Sequence, residues 1–264
     1  MHKSHSLKFY TLFCLSLLAG FQLFPNKAAL AGNFTVFPIQ VFLNAKVSNQ
    51  LMTLKNTGSE SLRLQVSAYA WNQTSTEDLQ LVPSDDLVFF PSLFSLEPGQ
   101  EQKVRVGILT PPADTEKTYR LIFQQLPAEK TSVSTHSAGP MINFLVNLSV
   151  PLFLAPPKTT SGADLTGVTL QNGKLNFQVV NQGNVHLKAQ TLKVQGLAAD
   201  GKVIVNLQRE GWYILAGHQK QYHLSLPKDQ CADIRSLLIE VQTDKTKKSI
   251  TSKLETPGGA CGAF

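Results

Sequence analysis

Long helical periodicity is absent from this chain, cysteine is scarce, and only one extended apolar run occurs. Three cysteines among 264 residues exclude a disulfide-dense mini-scaffold and a multi-cysteine zinc module. The apolar run, residues 9–24, is broken by Ser16, Gly20 and Gln22 and is short for a membrane helix, which needs about 20 residues. No Gly-rich phosphate loop, no HExxH pair and no nucleophile elbow is present. Asp85-Asp86 stands at a loop start before Leu87-Val-Phe-Phe90, where turn chemistry accounts for it. His218 and His223 lie five apart near one strand, so they point to opposite faces and share no metal. His186 follows a turn, where a surface or capping role is expected. Basic residues form no block interleaved with aromatics, which argues against nucleic acid. An enzyme, a metal and a cofactor are all unexpected.

What is present begins with a leader. Lys3 and Lys8 precede the apolar run, and Ala29-Leu-Ala31 is a small-x-small cleavage site. That is the layout of a secretory signal peptide, residues 1–31, with no membrane insertion expected after cleavage. Removing Lys3, Lys8 and Lys27 lowers the formal charge from +6 to +3, so much of the basic character belongs to the leader. Cys14 leaves with it. The remaining pair, Cys231 and Cys261, is expected to form a disulfide in an oxidising compartment.

The rest of the chain reads as short alternating segments separated by Gly, Pro, Asn, Asp or Ser. Leu62-Arg-Leu-Gln-Val-Ser-Ala-Tyr-Ala-Trp71 is the longest clean strand, and Glu97-Pro-Gly99 is a turn with proline at its second position. About seven such strands fill residues 32–155, the number expected of an immunoglobulin-like sandwich. Ala155-Pro-Pro-Lys-Thr-Thr-Ser-Gly162 is a short stiff linker that should hold the halves at a fixed angle. A second series over 156–264 predicts a smaller β-sandwich. The expected fold is therefore all-β, with two sandwich domains behind a cleaved signal peptide.

One segment has a distinctive pattern. In Met141-Ile-Asn-Phe-Leu-Val-Asn-Leu-Ser-Val150, the side chains Ile142, Phe144, Val146, Leu148 and Val150 share one parity. In a strand they form a continuous apolar row. Pro38-Ile-Gln-Val-Phe-Leu43, Leu54-Lys-Asn-Thr-Gly58, Leu93-Phe-Ser-Leu-Glu-Pro-Gly-Gln100 with Val104-Arg-Val106, and Val150-Pro-Leu-Phe-Leu-Ala-Pro156 follow in order. Asn181-Gln-Gly-Asn-Val-His186 and Trp212-Tyr-Ile-Leu-Ala-Gly217 continue the series in the second half. Together they resemble the periplasmic pilus chaperones of chaperone–usher assembly, the PapD-like superfamily, across residues 33–256.

The resemblance implies an ATP-independent periplasmic chaperone for pilus or fimbrial subunits that delivers them to an outer-membrane usher. The last strand of the first domain would be lent to a subunit lacking one strand, with the row from Ile142 to Val150 entering its groove. Self-association of the client-free chain through the same edge is a further expectation. The family's usual anchor for the subunit's C-terminal carboxylate is an arginine on the first strand and a lysine at the foot of the donor strand. Gln40 and Pro151 stand at those positions here, which leaves Arg120 and Arg105 as the nearest cations to replace them. An arginine expected at the domain junction is matched by Ala155. The competing expectation is a secreted two-domain adhesion or structural module with no client groove.

Overall fold

The computed structural model describes residues 33–74, 79–127 and 144–256. The first half forms ten strands: β1 (Phe34–Phe37), β2 (Val41–Leu43), β3 (Asn49–Asn56), β4 (Leu62–Gln73), β5 (Leu79–Pro83), β6 (Leu87–Phe90), β7 (Leu93–Leu96), β8 (Glu101–Ile108), β9 (Lys117–Leu126) and β10 (Asn147–Leu154). They build a four-stranded sheet, β1-β3-β8-β6, and a six-stranded sheet, β2-β10-β9-β4-β5, in which β7 also pairs with β4. Alternate side chains of the two sheets interdigitate. Leu64, Val66, Leu121, Phe123 and Leu152 meet Met52, Leu54, Val104 and Val106 in one core, as expected of a sandwich.

The second half repeats the architecture with β11 (Ala163–Gln171), β12 (Lys174–Asn181), β13 (Leu187–Leu197), β14 (Val203–Glu210), β15 (Tyr213–Ile214), β16 (Gln219–Ser225), β17 (Ser236–Thr243) and β18 (Ile250–Glu255). Sheets β11-β12-β16 and β14-β13-β17-β18, with β15 on β13, enclose Phe177, Val194, Ile239 and their neighbours. The only helical element among the described residues is a 3-10 turn, Cys231–Asp233. The fold is thus the two-sandwich all-β class expected from the sequence.

Each half carries the same asparagine corner. The buried Asn56 amide donates to Glu60 O and Leu96 O while its Oδ1 accepts from Gly58 N. Asn181 repeats this, donating to Val185 O, Ile214 O and Leu215 O and accepting from Gly183 N. A side-chain amide satisfies several loop carbonyls at once, which lets a turn be buried.

The chain changes sheets at Pro38–Gln40. β1 pairs antiparallel with β3, whereas β2 pairs parallel with β10, and only at Leu152, Phe153 and Leu154. This switch decides how much of β10 has a neighbour on each side.

Candidate functional site: an open strand edge and an aromatic cleft

β10 is paired along its whole length on one side, from Asn147 opposite Gln124 to Leu154 opposite Lys117 of β9. The pairing continues past the strand's start through Gln125 N–H to Val146 O, 3.0 Å. On the other side, no described strand pairs with residues 147–151. The backbone there presents a free ladder edge.

The expected row is graded along this edge. Phe144 is 82% exposed, and Leu145 beside it is 48% exposed. Val146 and Leu148 are half-buried against the first core. Val150 is 4% exposed and belongs to that core, unlike the outer members of the row, because β2 closes the edge just beyond it and the sandwich continues over that end of β10. Ile142 lies outside the described residues. Phe37 and Ile39, which flank the sheet switch, are 74% and 73% exposed.

At the foot of β10 the outward face of the six-stranded sheet meets the second half. Trp71, Phe153, Tyr213 and Leu215 form a sealed cluster there, with Leu81 packed against it. Gln73 ties the halves, donating to Tyr213 O at 2.8 Å and accepting from Leu215 N at 2.9 Å. Asn184 donates to Asp114 O and Lys158 O, 2.8 Å each. Glu116 Oε2 accepts from both the backbone N–H and Nδ1 of His186, at 2.7 and 2.6 Å. The side chains of His186 and Glu116 are only 2% and 4% exposed. Of the surface or capping role expected of it, His186 does not take the surface position. It stacks on Phe153 at 3.6 Å between centroids and latches the halves. A spacing of 70 residues between the partners hides such a pair from a linear reading.

The two arginines separate. Arg105 is exposed on β8 in the four-stranded sheet, where Nη1 donates to Asn49 Oδ1 at 2.9 Å. It is not beside β10, which belongs to the other sheet. Arg120 lies on β9 directly opposite Pro151 and is 6% exposed. Its guanidinium carbon sits 3.7 Å above the Trp71 ring and 6.0 Å from the Tyr213 centroid. Nε has no hydrogen-bond partner. Desolvation lowers the guanidinium pKa, and the neighbouring Tyr213 opposes that shift. None of the described carboxylates reaches it, and two aromatic faces stand in. Gln40 donates from Nε2 to the Tyr213 hydroxyl, so the residue at the position of the family's first-strand cation bonds to the second half.

Cys231 is buried and disulfide-bonded. Cys261, its expected partner, lies outside the described residues, as do residues 1–32 with the expected leader and its cleavage site.

Two β-sandwiches, the first with residues 147–151 of its last strand unpaired on one side among the described residues, define the class of protein by its architecture. Solved structures carry this fold. The class 5 fimbriae chaperone CfaA matches with a TM-score of 0.53 at 14% identity, over 85% of this chain and 100% of its own. A chain of the CsuC–CsuE chaperone–tip adhesion subunit pre-assembly complex of Acinetobacter baumannii matches with 0.53 at 15%, over 84% and 98%. A chain of the Salmonella enterica SafA pilin–SafB chaperone complex matches with 0.52 at 18%, over 86% and 98%. No curated protein matches by sequence. Residues 33–160 match the family model described as pili and flagellar-assembly chaperone, PapD N-terminal domain. Residues 33–160 are thus a PapD-like N-terminal domain of the pili and flagellar-assembly chaperones.

Proposed function

We propose that this protein is an ATP-independent periplasmic chaperone that holds pilus or fimbrial subunits by donor-strand complementation and passes them to an outer-membrane usher. The observation that carries the reading is the unpaired side of β10 with Phe144 standing 82% exposed at its head. A subunit whose own sandwich lacks a strand has an apolar groove between two unpaired edges. Pairing it with β10 satisfies backbone hydrogen bonds and buries Phe144, Val146 and Leu148 together. Ile142 would extend the row. Such side chains are worth about 1.5–3 kcal/mol each on full burial. That gain accumulates without nucleotide, and a second subunit's strand that packs better can displace the chaperone's. The subunit's C-terminal carboxylate would anchor at Arg120.

Export by residues 1–31 supplies the compartment, and an oxidising one suits the bonded Cys231. In this reading 32–155 is the domain that lends the strand and 156–264 the domain packed at its foot, a division supported by the two separate cores. The free edge also gives client-free copies a surface for pairing with one another.

The test is co-expression with a fibre subunit encoded beside this chain, followed by purification through a tag on the chaperone. The subunit should co-purify, and Phe144→Glu should release it. A subunit that accumulates equally well without the chaperone overturns the reading.

A further inference from the structure

A lysine and a glutamate set directly opposite each other across antiparallel strands are close enough to pair. Lys55 on β3 and Glu101 on β8 do so, at 3.2 Å. Lys193 on β13 and Glu240 on β17 stand in the same relation in the second sandwich. They form no ion pair, and neither has another side-chain partner among the described residues. Both are half-buried. With Thr191, Gln208 and Gln242 they line a depression of about 270 Å³ on the outward face of the β14-β13-β17-β18 sheet.

The register brings these five together. Leu192 and Val194 of β13 are sealed in the core, so Thr191 and Lys193 point away from it. Lys193 lies between Gln208 of β14 on one side and Glu240 of β17 on the other. Thr191 and Gln242 are paired in the neighbouring row. Among the described residues none of the five side chains hydrogen-bonds to another, so their bonding capacity is turned toward the depression.

The chemistry of the lining selects the ligand. Its two formal charges cancel, so a lone anion is repelled by Glu240 and a lone cation by Lys193. Gln208, Gln242 and Thr191 each both donate and accept hydrogen bonds. A hydroxyl does the same. Placed between Lys193 and Glu240, one hydroxyl accepts from the ammonium and donates to the carboxylate, making two charge-assisted bonds. A zwitterion would match the two charges, but its ammonium only donates and its carboxylate only accepts, which leaves part of each amide unused. No aromatic or aliphatic side chain is among the five. The volume lies just below the roughly 300 Å³ at which ligand pockets usually begin, which suits a single sugar ring.

We propose that this face of the second sandwich binds a neutral polyhydroxylated ligand, one hexose or N-acetylhexosamine unit. A ligand hydroxyl bridges Lys193 and Glu240, and Gln208, Gln242 and Thr191 hold the hydroxyls beside it. Without an aromatic platform the affinity rests on hydrogen bonds, and a dissociation constant of about a few millimolar is expected. The site belongs to the second core's outer sheet and does not depend on strand lending by β10.

The side-chain amide resonances of Gln208 and Gln242, assigned with Gln208→Glu and Gln242→Glu, give the readout. The isotope-labelled intact chain is titrated separately with methyl glucoside, methyl galactoside and N-acetylglucosamine, and with glycylglycine as the zwitterion. At least one sugar should shift both signals saturably, and glycylglycine should not. Lys193→Met keeps the side-chain stem and removes the donor; Glu240→Gln keeps the shape and removes the charge. Each should weaken sugar binding by about tenfold or more, the value of a hydrogen bond to a charged group. Both positions face outward, so the melting temperature should stay close to the parent's. Phe144→Glu should release a fibre subunit and leave sugar binding unchanged, which keeps this test apart from that of the chaperone reading.

Sugars that leave both signals unmoved at tens of millimolar overturn the site. Glycylglycine moving the signals in place of the sugars overturns the assignment of a polyhydroxylated ligand. Unchanged sugar affinity in either Lys193→Met or Glu240→Gln overturns the bridged pair on which the proposal stands.

Discussion

Introducing glutamate at successive positions of one apolar row separates what β10 does at home from what it does for a client. At Phe144, 82% exposed, the substitution removes almost nothing from the chain's own packing. Surface changes of this kind alter stability by about 0.5 kcal/mol or less. At Leu148, half-buried against the first core, the cost should rise to about 1–3 kcal/mol. At Val150, 4% exposed, a carboxylate is placed in the core without a partner and several kcal/mol are lost. Client binding should follow the opposite gradient at its outer end. Phe144 contributes about 1.5–3 kcal/mol when the subunit closes over it, and each 1.4 kcal/mol is about tenfold in affinity. Phe144→Glu should therefore speed subunit loss by about tenfold to a hundredfold in a chaperone of unchanged melting temperature. Thermal unfolding of the free variants, set beside the rate at which a tagged subunit exchanges from the complex, gives both axes. Subunit retention that tracks the chaperone's own stability along the series, rather than the exposure of the substituted site, refutes the reasoning.

Two further outcomes follow from buried pairs. His186→Leu strands the Glu116 carboxylate without its imidazole, at a cost of about 3–5 kcal/mol; Glu116→Gln, whose amide oxygen still accepts from the His186 N–H, should lose less. Denaturant titration compares them, and equal losses contradict the latch. The Tyr119 hydroxyl is held protonated by burial and by its bond to Asp86, so its pKa is raised. The folded state keeps that proton where the unfolded chain releases it, so stability is full below about pH 10 and falls as pH rises above it. Tyr119→Phe should flatten that alkaline slope in unfolding measured from about pH 9 to 12.

Much of the first sandwich was legible because its strands alternate and its turns are spelled out. Pro98-Gly99 gave the turn that the structure closes with Gln100 N–H to Glu97 O and a Gly99 φ of +76°. The run from Leu87 to Leu96 divides into β6 and β7 in different sheets. The cis peptide at Phe90-Pro91 falls between them. β5, β11 and β18 escaped notice because their apolar residues are sparse and half-exposed, as edge strands are. A signal for β11 was present in Asn172-Gly173, where both residues take positive φ in the hairpin to β12. In the candidate site, parity found the row, and Gln40 and Pro151 at the family's cation positions pointed to Arg120 and Arg105. Neither could show that Val150 is sealed or that Arg105 belongs to the opposite sheet.

Alternation of side chains along an extended backbone is a local property, so the sequence alone determined the all-β class, the two halves and the apolar row that ends at Val150. Whether that row faces a partner or its own core depends on which strand lies alongside, and a neighbour contributed from a hundred residues away leaves no trace in the row itself. Only the tertiary structure, through the sheet switch at Pro38–Gln40, left residues 147–151 of β10 without a neighbour on one side among the described residues. Only it brought Trp71, Arg120, Phe153, His186 and Tyr213 to one point, because buried charge is stabilised by whatever the fold assembles around it and not by its neighbours in the chain.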